Sequence, residues 1–310
     1  QALKICQDND KTTPQIGAFL SNNKNNFGIT YDTQEAQKAF QKHCIEQDIY
    51  SITTETLSVE TSNKTIKKLT TKEGQTITAD LYIDCSGQQV VMRNLQTPKT
   101  IEAQFIPPYT TLSTLTPNNE LTGATVTLDE KSIICDFKSS NINEHRHYIF
   151  ENNENSISSF YFENPWLENC LSLGQGYCKI PEVLICTDRI LESQLLALAP
   201  FLPIYSGFAS AQKHYAMHSQ RILNDAIDSV NLLLSDILPS CKLTSGNTTR
   251  AQLFKSSAAL HQAETSMINN SCWGALMHSV GIKPASTNAL AQARPASVIS
   301  QKVNQLLTGA

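Results

Sequence analysis

Two short stretches of the chain gather small and polar residues where a strand ends, which is where a ligand can reach the backbone. In ADLYIDCSG (residues 79–87), Leu81 and Ile83 carry an alternating strand to Asp84, and Cys85, Ser86 and Gly87 then replace everything bulky. In LSLGQGYCKIPE (171–182), an apolar strand reaches Gly174, Gln175 and Gly176, and the spacing predicts a helix starting between Pro181 and Asp188. A strand–glycine–helix joint suits an anionic or electron-rich ligand. Glycine lets the backbone come close, and a helix start offers unpaired N–H groups and a partial positive charge. Taken singly, each joint reads equally well as a tight connection with no ligand.

Other chemistry-bearing residues form weaker patterns. His145 and His147 in EHRHY could share one face of a strand, and His214 and His218 lie one helical turn apart. Neither pair has a third ligand beside it, so no metal site is expected. The nine cysteines are an odd number and none forms a C-x-x-C pair, which points to reduced thiols in a cytoplasmic protein.

Composition narrows the classes further. A formal charge of −4 gives no basic footprint, so nucleic acid is not an expected partner. No apolar run approaches the roughly 18 residues that cross a bilayer, and the polar opening QALKICQDND reads as no signal peptide. With 40% hydrophobic and 17% charged residues among 310, the chain reads as globular and long enough for two units. It opens at Gln1 in what reads as the middle of a domain, so a fragment is expected.

The elements that must position these residues follow from periodicity. A helix is predicted over 32–48, with Asp32 and Glu35 as a capping box and Ala36, Ala39, Phe40, His43 and Cys44 on one face. Residues 49–61 read as extended, and a hairpin turns at Glu73-Gly74. Strand patterns recur in TGATVTL, KSIICDF, RHYIF and SISSFYF, and helices fit 188–199, 207–238, 251–279 and 296–307. Their punctuation is Pro200, Pro203, Pro239, the stretch TSGN, and Gly281 with Pro284. The apolar stripe of the 207–238 helix (Phe208, Tyr215, Ile222, Val230, Leu233, Ile237) reads as core before it reads as a homodimer interface.

In this order the pieces resemble a known family. The run from YDTQEAQ to DCSG (31–87), then PWLENCLSLGQG (165–176), then NNSCWGALMHSVGIKP (269–284) are similar to stretches of the flavin-dependent tryptophan halogenases. The resemblance implies an α/β fold (α+β overall), with a partial Rossmann-like FAD-binding module over 1–100 and 164–200. It implies an antiparallel insertion over 101–163 on the substrate side and a helical region over 201–310. It also implies that FAD, reduced by a separate flavin reductase, turns oxygen and halide into hypohalous acid that reaches a small aromatic substrate such as an indole. In that picture Asp84, Cys85, Ser86 and Gly87 lie along FAD. Gly174, Gln175 and Gly176 flank its ring system, with Thr187 and Asp188 beyond, and Ile52 and Thr53 pass its adenine end. Trp273 would line the substrate side, against the alternative of a core tryptophan beside Leu276 and Val280.

The sequence departs from the family in four places. The fingerprint G-x-G-x-x-G is absent, and no lysine can be given the family's catalytic role. SIICDFKSS has no tryptophan where the family has Trp-x-Trp-x-Ile-Pro. Where the family reads E-P-L-E-S-T, this chain reads PEVLICT. An ungapped count puts the catalytic glutamate on Leu184 and the halide-contacting threonine on Cys186. Glu182 is the nearby carboxylate and the candidate catalytic residue. An altered active site is expected, with a non-catalytic, flavin-binding or interaction protein as the alternative.

Overall fold

Residues 33–55, 57–95, 99–117, 123–138, 142–185, 187–202, 209–258, 260, 266–285, 295, 297–298 and 301 are described by the structure, a computed structural model. Asp32, Phe208, Cys186 and most of the predicted 296–307 helix lie outside the described residues.

The chain enters through helix α1 (Thr33–Glu46), whose residues Phe40 and Ile45 are 71% and 74% exposed. An antiparallel hairpin follows, β1 (Leu57–Ser62) on β2 (Thr65–Thr71). Its turn, Asn63-Lys64, holds both residues at positive φ, the backbone twist that matches two flanking strands. At Gly74 (φ 85°) the chain reverses again into β3 (Thr76–Ile77), at the hairpin position expected from sequence. The compact corner then ends β4 (Tyr82–Asp84).

Strands β5 (Thr100–Glu102), β6 (Thr110–Pro117), β7 (Gly123–Asp129), β8 (Ser132–Lys138) and β9 (Ile142–Ile149) make up the strand-rich middle. The last four form one antiparallel sheet in the order β6-β9-β8-β7. Strands β10 (Phe160–Phe162), β11 (Trp166–Leu167), β12 (Cys170–Ser172) and β13 (Cys178–Lys179) return the chain to the corner. There β12 lies parallel to β4, with Cys170 opposite Tyr82, Leu171 opposite Ile83 and Ser172 opposite Asp84. The Asn169 amide ties this pair to the hairpin. It accepts from the Ile66 N–H and donates to the Ile66 carbonyl, each at 2.9 Å.

Helices complete the chain: α2 (Thr187–Leu198), α3 (Ala209–Ile237), α4 (Ser245–Ser257) and α5 (Asn270–Ser279). The α3 stripe of Tyr215, Ile222, Val230 and Leu233 is buried in the chain's own core. The helix predicted over 251–279 is in fact two. Ala258 adopts a left-handed conformation (φ 51°) that ends α4, and α5 restarts at Asn270, capped by Asn269. The stretch TSGN opens α4 instead of separating helices, because Thr244 Oγ1 accepts from the Asn247 N–H at 3.0 Å as an N-cap.

Buried α3 residues Asp225, Asp228 and Asn231 are satisfied from α4 and its flanks. Arg250 bridges both aspartates, Thr244 donates to Asp228 at 2.6 Å, and Asn247 donates to Asn231 at 2.9 Å. One apolar cluster runs from Ile66 to Met277, and a smaller one gathers Trp166, Leu171, Leu173, Leu198 and Tyr215 behind the corner.

Candidate functional site

The two small-residue corners meet. Pairing of β4 with β12 puts the Leu173 N–H on the Asp84 carbonyl at 3.0 Å, and Gly174–Gly176 then turn as a single 3-10 step. A Cβ on Gly176 would fall 2.0 Å from the Asp84 carbonyl oxygen and 3.2 Å from Cys85 Cα. Gly174 holds φ at 52° and packs against the Thr187 methyl and Leu191, while its N–H donates to Gln194 Oε1 at 2.8 Å. These two glycines are therefore required by chain-on-chain contact and by backbone conformation. Gly87 differs, being exposed, and a Cβ there would meet only the end of the Gln175 side chain, at 2.9 Å.

Asp84 is 2% exposed and its carboxylate is fully engaged by the chain. One oxygen accepts from the Ser86 N–H (2.9 Å) and hydroxyl (2.6 Å). The other accepts from the Val91 and Met92 N–H groups, both at 2.9 Å. The Ser86 hydroxyl accepts in turn from the Val90 N–H at 3.0 Å. Asp84 thus organises the turn after β4, and Ser86 is its partner. The Cys85 side chain faces outward, and burial followed by the charge of Asp84 pushes its thiol above the ordinary range.

What the corner presents outward is a ledge of Cys85, Gly87, Gln88 and Gln175, with Ile83 47% exposed beside it. Its one glycine without a packing reason, Gly87, would have its Cβ contested only by the movable tip of Gln175. That geometry leaves the ledge open to a flat ligand. The described residues contribute no Gly-rich loop for a pyrophosphate. A hollow of about 990 Å³ lies elsewhere, along α1 beside Phe40, Cys44, Ile45 and Tyr50, and contains none of the candidate site residues.

Behind the corner Thr187 links the glycine turn to a charged cluster. While its methyl packs on Gly174, its hydroxyl donates to Glu182. The second Glu182 oxygen accepts from Arg146 Nη1 at 2.7 Å, and Arg146 also holds Glu144 through Nε (2.5 Å) and Nη2 (3.1 Å). The Arg146 guanidinium lies 5.3 Å from the Phe137 ring centre, and the Tyr148 hydroxyl donates to the Glu182 carbonyl at 3.3 Å. Burial pushes the Tyr148 phenol up to about 12, and likewise the thiols of Cys135 and Cys178 up to about 12, so all three are neutral at physiological pH. Arg146, Glu144, Tyr148 and Gln194 were not singled out from sequence. Arg146 and Glu144 alternate in NEHRHY, so a same-face ion pair on a strand was readable there.

The remaining candidates are dispersed. Ile52 and Thr53 are exposed on the segment between α1 and β1 and hydrogen-bond to neither corner. Asp188 is exposed in the first turn of α2. Trp273 is 2% exposed and packed in the core, its ring 4.2 Å under the Arg250 guanidinium. The structure puts it with Leu276, the packing alternative raised from sequence. His145 pairs across strands with Asp136 at 2.6 Å, and His214 stacks on Phe201 at 6.1 Å.

Comparison with known proteins follows the same line. Residues 4–127 match the protein family described as tryptophan halogenase. No curated protein sequence matches the chain. The fold is similar to Xcc4156, a flavin-dependent halogenase from Xanthomonas campestris, with a TM-score of 0.74 and 13% identity over 86% of this chain and 62% of that one. It is similar to BrvH, a flavin-dependent halogenase from Brevundimonas sp. BAL3, with a TM-score of 0.77 and 10% identity over 90% and 65%. A tryptophan 6-halogenase from Streptomyces toxytricini, SttH, gives a TM-score of 0.70 and 13% identity over 87% and 63%. The chain spans a little under two thirds of the length of these structures, and identities this low carry the fold alone.

Proposed function

We propose, from the match of residues 4–127 to the tryptophan halogenase family, that the protein is a flavin-dependent oxidoreductase that halogenates or oxidises a small aromatic substrate. FAD is its cofactor, reduced by a separate flavin reductase. The observation that carries this reading is the meeting of the two corners, with the Leu173 N–H on the Asp84 carbonyl and an outward ledge of Cys85, Gly87, Gln88 and Gln175 beside it. When bound, reduced FAD would supply the electrons for oxygen activation. In this reading Cys85, Ser86, Gly87 and Gln175 support one face of its ring, and Asp84, Gly174 and Gly176 hold that ledge in shape. Glu182 stands behind the ledge as the carboxylate that orients substrate, held by Thr187 on one oxygen and Arg146 on the other.

A specific observation favours a second reading, a non-catalytic flavin-binding or interaction protein. Both oxygens of Glu182 are engaged by the chain's own groups, and Leu184, where the family's glutamate falls, cannot accept a hydrogen bond from an indole N–H.

One experiment separates the readings. The protein is titrated into FAD and into reduced FAD, with fluorescence and absorbance as readouts. Reduced flavin, oxygen, bromide and indole are then supplied, and the products analysed by mass spectrometry. Binding that Gly87→Leu abolishes at unchanged melting temperature, with a brominated or hydroxylated indole, is the expected result. Binding without product supports the second reading, and no flavin binding overturns the flavoprotein assignment.

A further inference from the structure

Strand β6 is an outer strand of its sheet. On its inner side it pairs with β9 throughout, from Thr110 opposite Ile149 to Pro117 opposite Ile142. On its outer side, among the described residues, only the approach is used, where Tyr109 exchanges backbone hydrogen bonds with Ile157 at 3.1 and 2.8 Å. Backbone groups along a strand point to alternate sides. Thr111, Ser113 and Leu115 therefore turn their N–H and C=O groups the same way as Tyr109, outward. No hydrogen bond satisfies them among the described residues. From Thr111 to Pro117 every residue is exposed, including Leu112 at 54% and Leu115 at 66%.

Edges of this kind are normally defended with charges, a mid-strand proline, a bulge or a covering element. The opposite edge of the same sheet, β7, packs beside α3 and ends in Asp129. The outer strand of the N-terminal hairpin, β1, carries Glu60, paired with Lys68 at 2.8 Å. Strand β6, TTLSTLTP, has no charged residue at all, and its proline stands at the end.

We propose that β6 is the interface of a symmetric dimer, pairing antiparallel with β6 of a second copy of this chain, Ser113 opposite Ser113. The partner is a second copy because the free edge complements itself. A two-fold axis perpendicular to the sheet pairs residues of the same outward parity, so Ser113 on Ser113 puts Thr111 opposite Leu115. Each outward residue then exchanges both of its bonds with the other copy. The match ends where the edge ends: Tyr109, already held by Ile157, would stand opposite Pro117, which has no N–H. The side chains that meet, Thr111 with Leu115 and Leu112 with Thr114, carry no charge. The like-charge repulsion that symmetry would double is absent. This surface lies outside the site discussed above and does not depend on the functional reading.

The test is sedimentation velocity over a concentration series on the full chain, with hydrogen exchange on segment 109–117. Wild type should show a concentration-dependent dimer in which the Thr111, Ser113 and Leu115 amides become protected. Ser113→Pro removes an outward N–H, tolerable at an edge, and should weaken self-association at least tenfold with little change in melting temperature. Thr114→Pro removes an inward N–H bonded to β9 and should lower the melting temperature instead. If Ser113→Pro does not fold, Ser113→Lys sets two like charges face to face at an exposed position and should give the same loss of dimer. A chain that stays monomeric at high concentration overturns the proposal. So does a dimer that survives both Ser113 variants, or one whose outward amides exchange freely.

Discussion

The carbonyl oxygen of Asp84 occupies the space that a side chain on Gly176 would need, 2.0 Å from the Cβ position. Backbone fills that space, and backbone within two paired strands cannot swing aside. Gly176→Ala should therefore cost about 3 kcal/mol or more and lower the melting temperature sharply. Gly87→Ala meets only the Gln175 amide tip and should stay within about 0.5 kcal/mol of wild type. Urea melts of the two variants check the contrast.

Asp84 is predicted to matter for folding whether or not a ligand is present. Alanine would strand the N–H groups of Ser86, Val91 and Met92 in a buried turn, a loss of roughly 3–4 kcal/mol. Asparagine keeps the shape and one acceptor oxygen, so about half that loss is expected. Equal melting curves for the two variants would contradict the acceptor role.

The charged cluster makes a different forecast. Arg146→Met leaves Glu144 and Glu182 without their shared cation, but both carboxylates keep partial access to water, with 29% and 20% of their side chains exposed. The cost should be only about 1–2 kcal/mol. Glu182→Gln should cost about 1–2 kcal/mol, because an amide oxygen that still accepts from Thr187 turns its NH2 group onto the Arg146 donor, while Arg146 keeps Glu144. In the proposed enzyme Glu182→Gln should leave flavin affinity unchanged and reduce turnover. A variant that halogenates at the wild-type rate would remove Glu182 from the chemistry.

How much of this could be read from the sequence follows from where each residue's partner lies. The hairpin at Gly74, the start of α2 and the long α3 stripe announce themselves, because local turn chemistry and helical spacing decide them. Strand β6 does not. Its leucines sit at 112 and 115, a spacing that puts them on opposite faces, and neither face is buried, so no alternation marks it. The break at Ala258 is also invisible, since a left-handed alanine follows from its surroundings and not from its type. The corners were legible as small-residue bends, but not the reason for Gly176, which is a carbonyl roughly ninety positions away in the chain. Arg146 was missed because its value comes from Glu182, on a segment that periodicity cannot connect to β9.

Alkaline pH should expose the buried phenols. Burial raises Tyr109, Tyr148, Tyr177 and Tyr215 above the ordinary 10.0, with Tyr148 reaching about 12. An unfolded tyrosine releases its proton near 10.0, while folded Tyr148 keeps it until about 12. Between those values the folded state binds more protons, so stability is intact below pH 10 and falls as pH rises through the window. Tyr148, raised to about 12, contributes roughly 2–3 kcal/mol of that fall, and the other three add to it in the same direction. Absorbance at 295 nm should show these phenols ionising late and together with unfolding, and Tyr148→Phe should make the alkaline limb shallower.

Arg250 should be the side chain whose loss is most dependent on pH. It bridges Asp225 and Asp228, both under a tenth exposed, and covers Trp273 at 4.2 Å. Arg250→Ala would leave two buried carboxylates facing each other, a cost of about 3–5 kcal/mol at neutral pH. Burial already holds the Asp225 carboxyl above the usual range despite bonds from Ser266 and Met267, and removing the cation raises it further. A carboxyl raised in the folded state lends stability that is fully present below its unfolded value and lost as pH rises through its folded value. The variant should thus regain ground on wild type near pH 4 and lose it by pH 7, the reverse of ordinary acid unfolding. Melting curves of both proteins across that range decide it, and a deficit that does not change with pH would show that Arg250 acts by packing on Trp273 and not by charge.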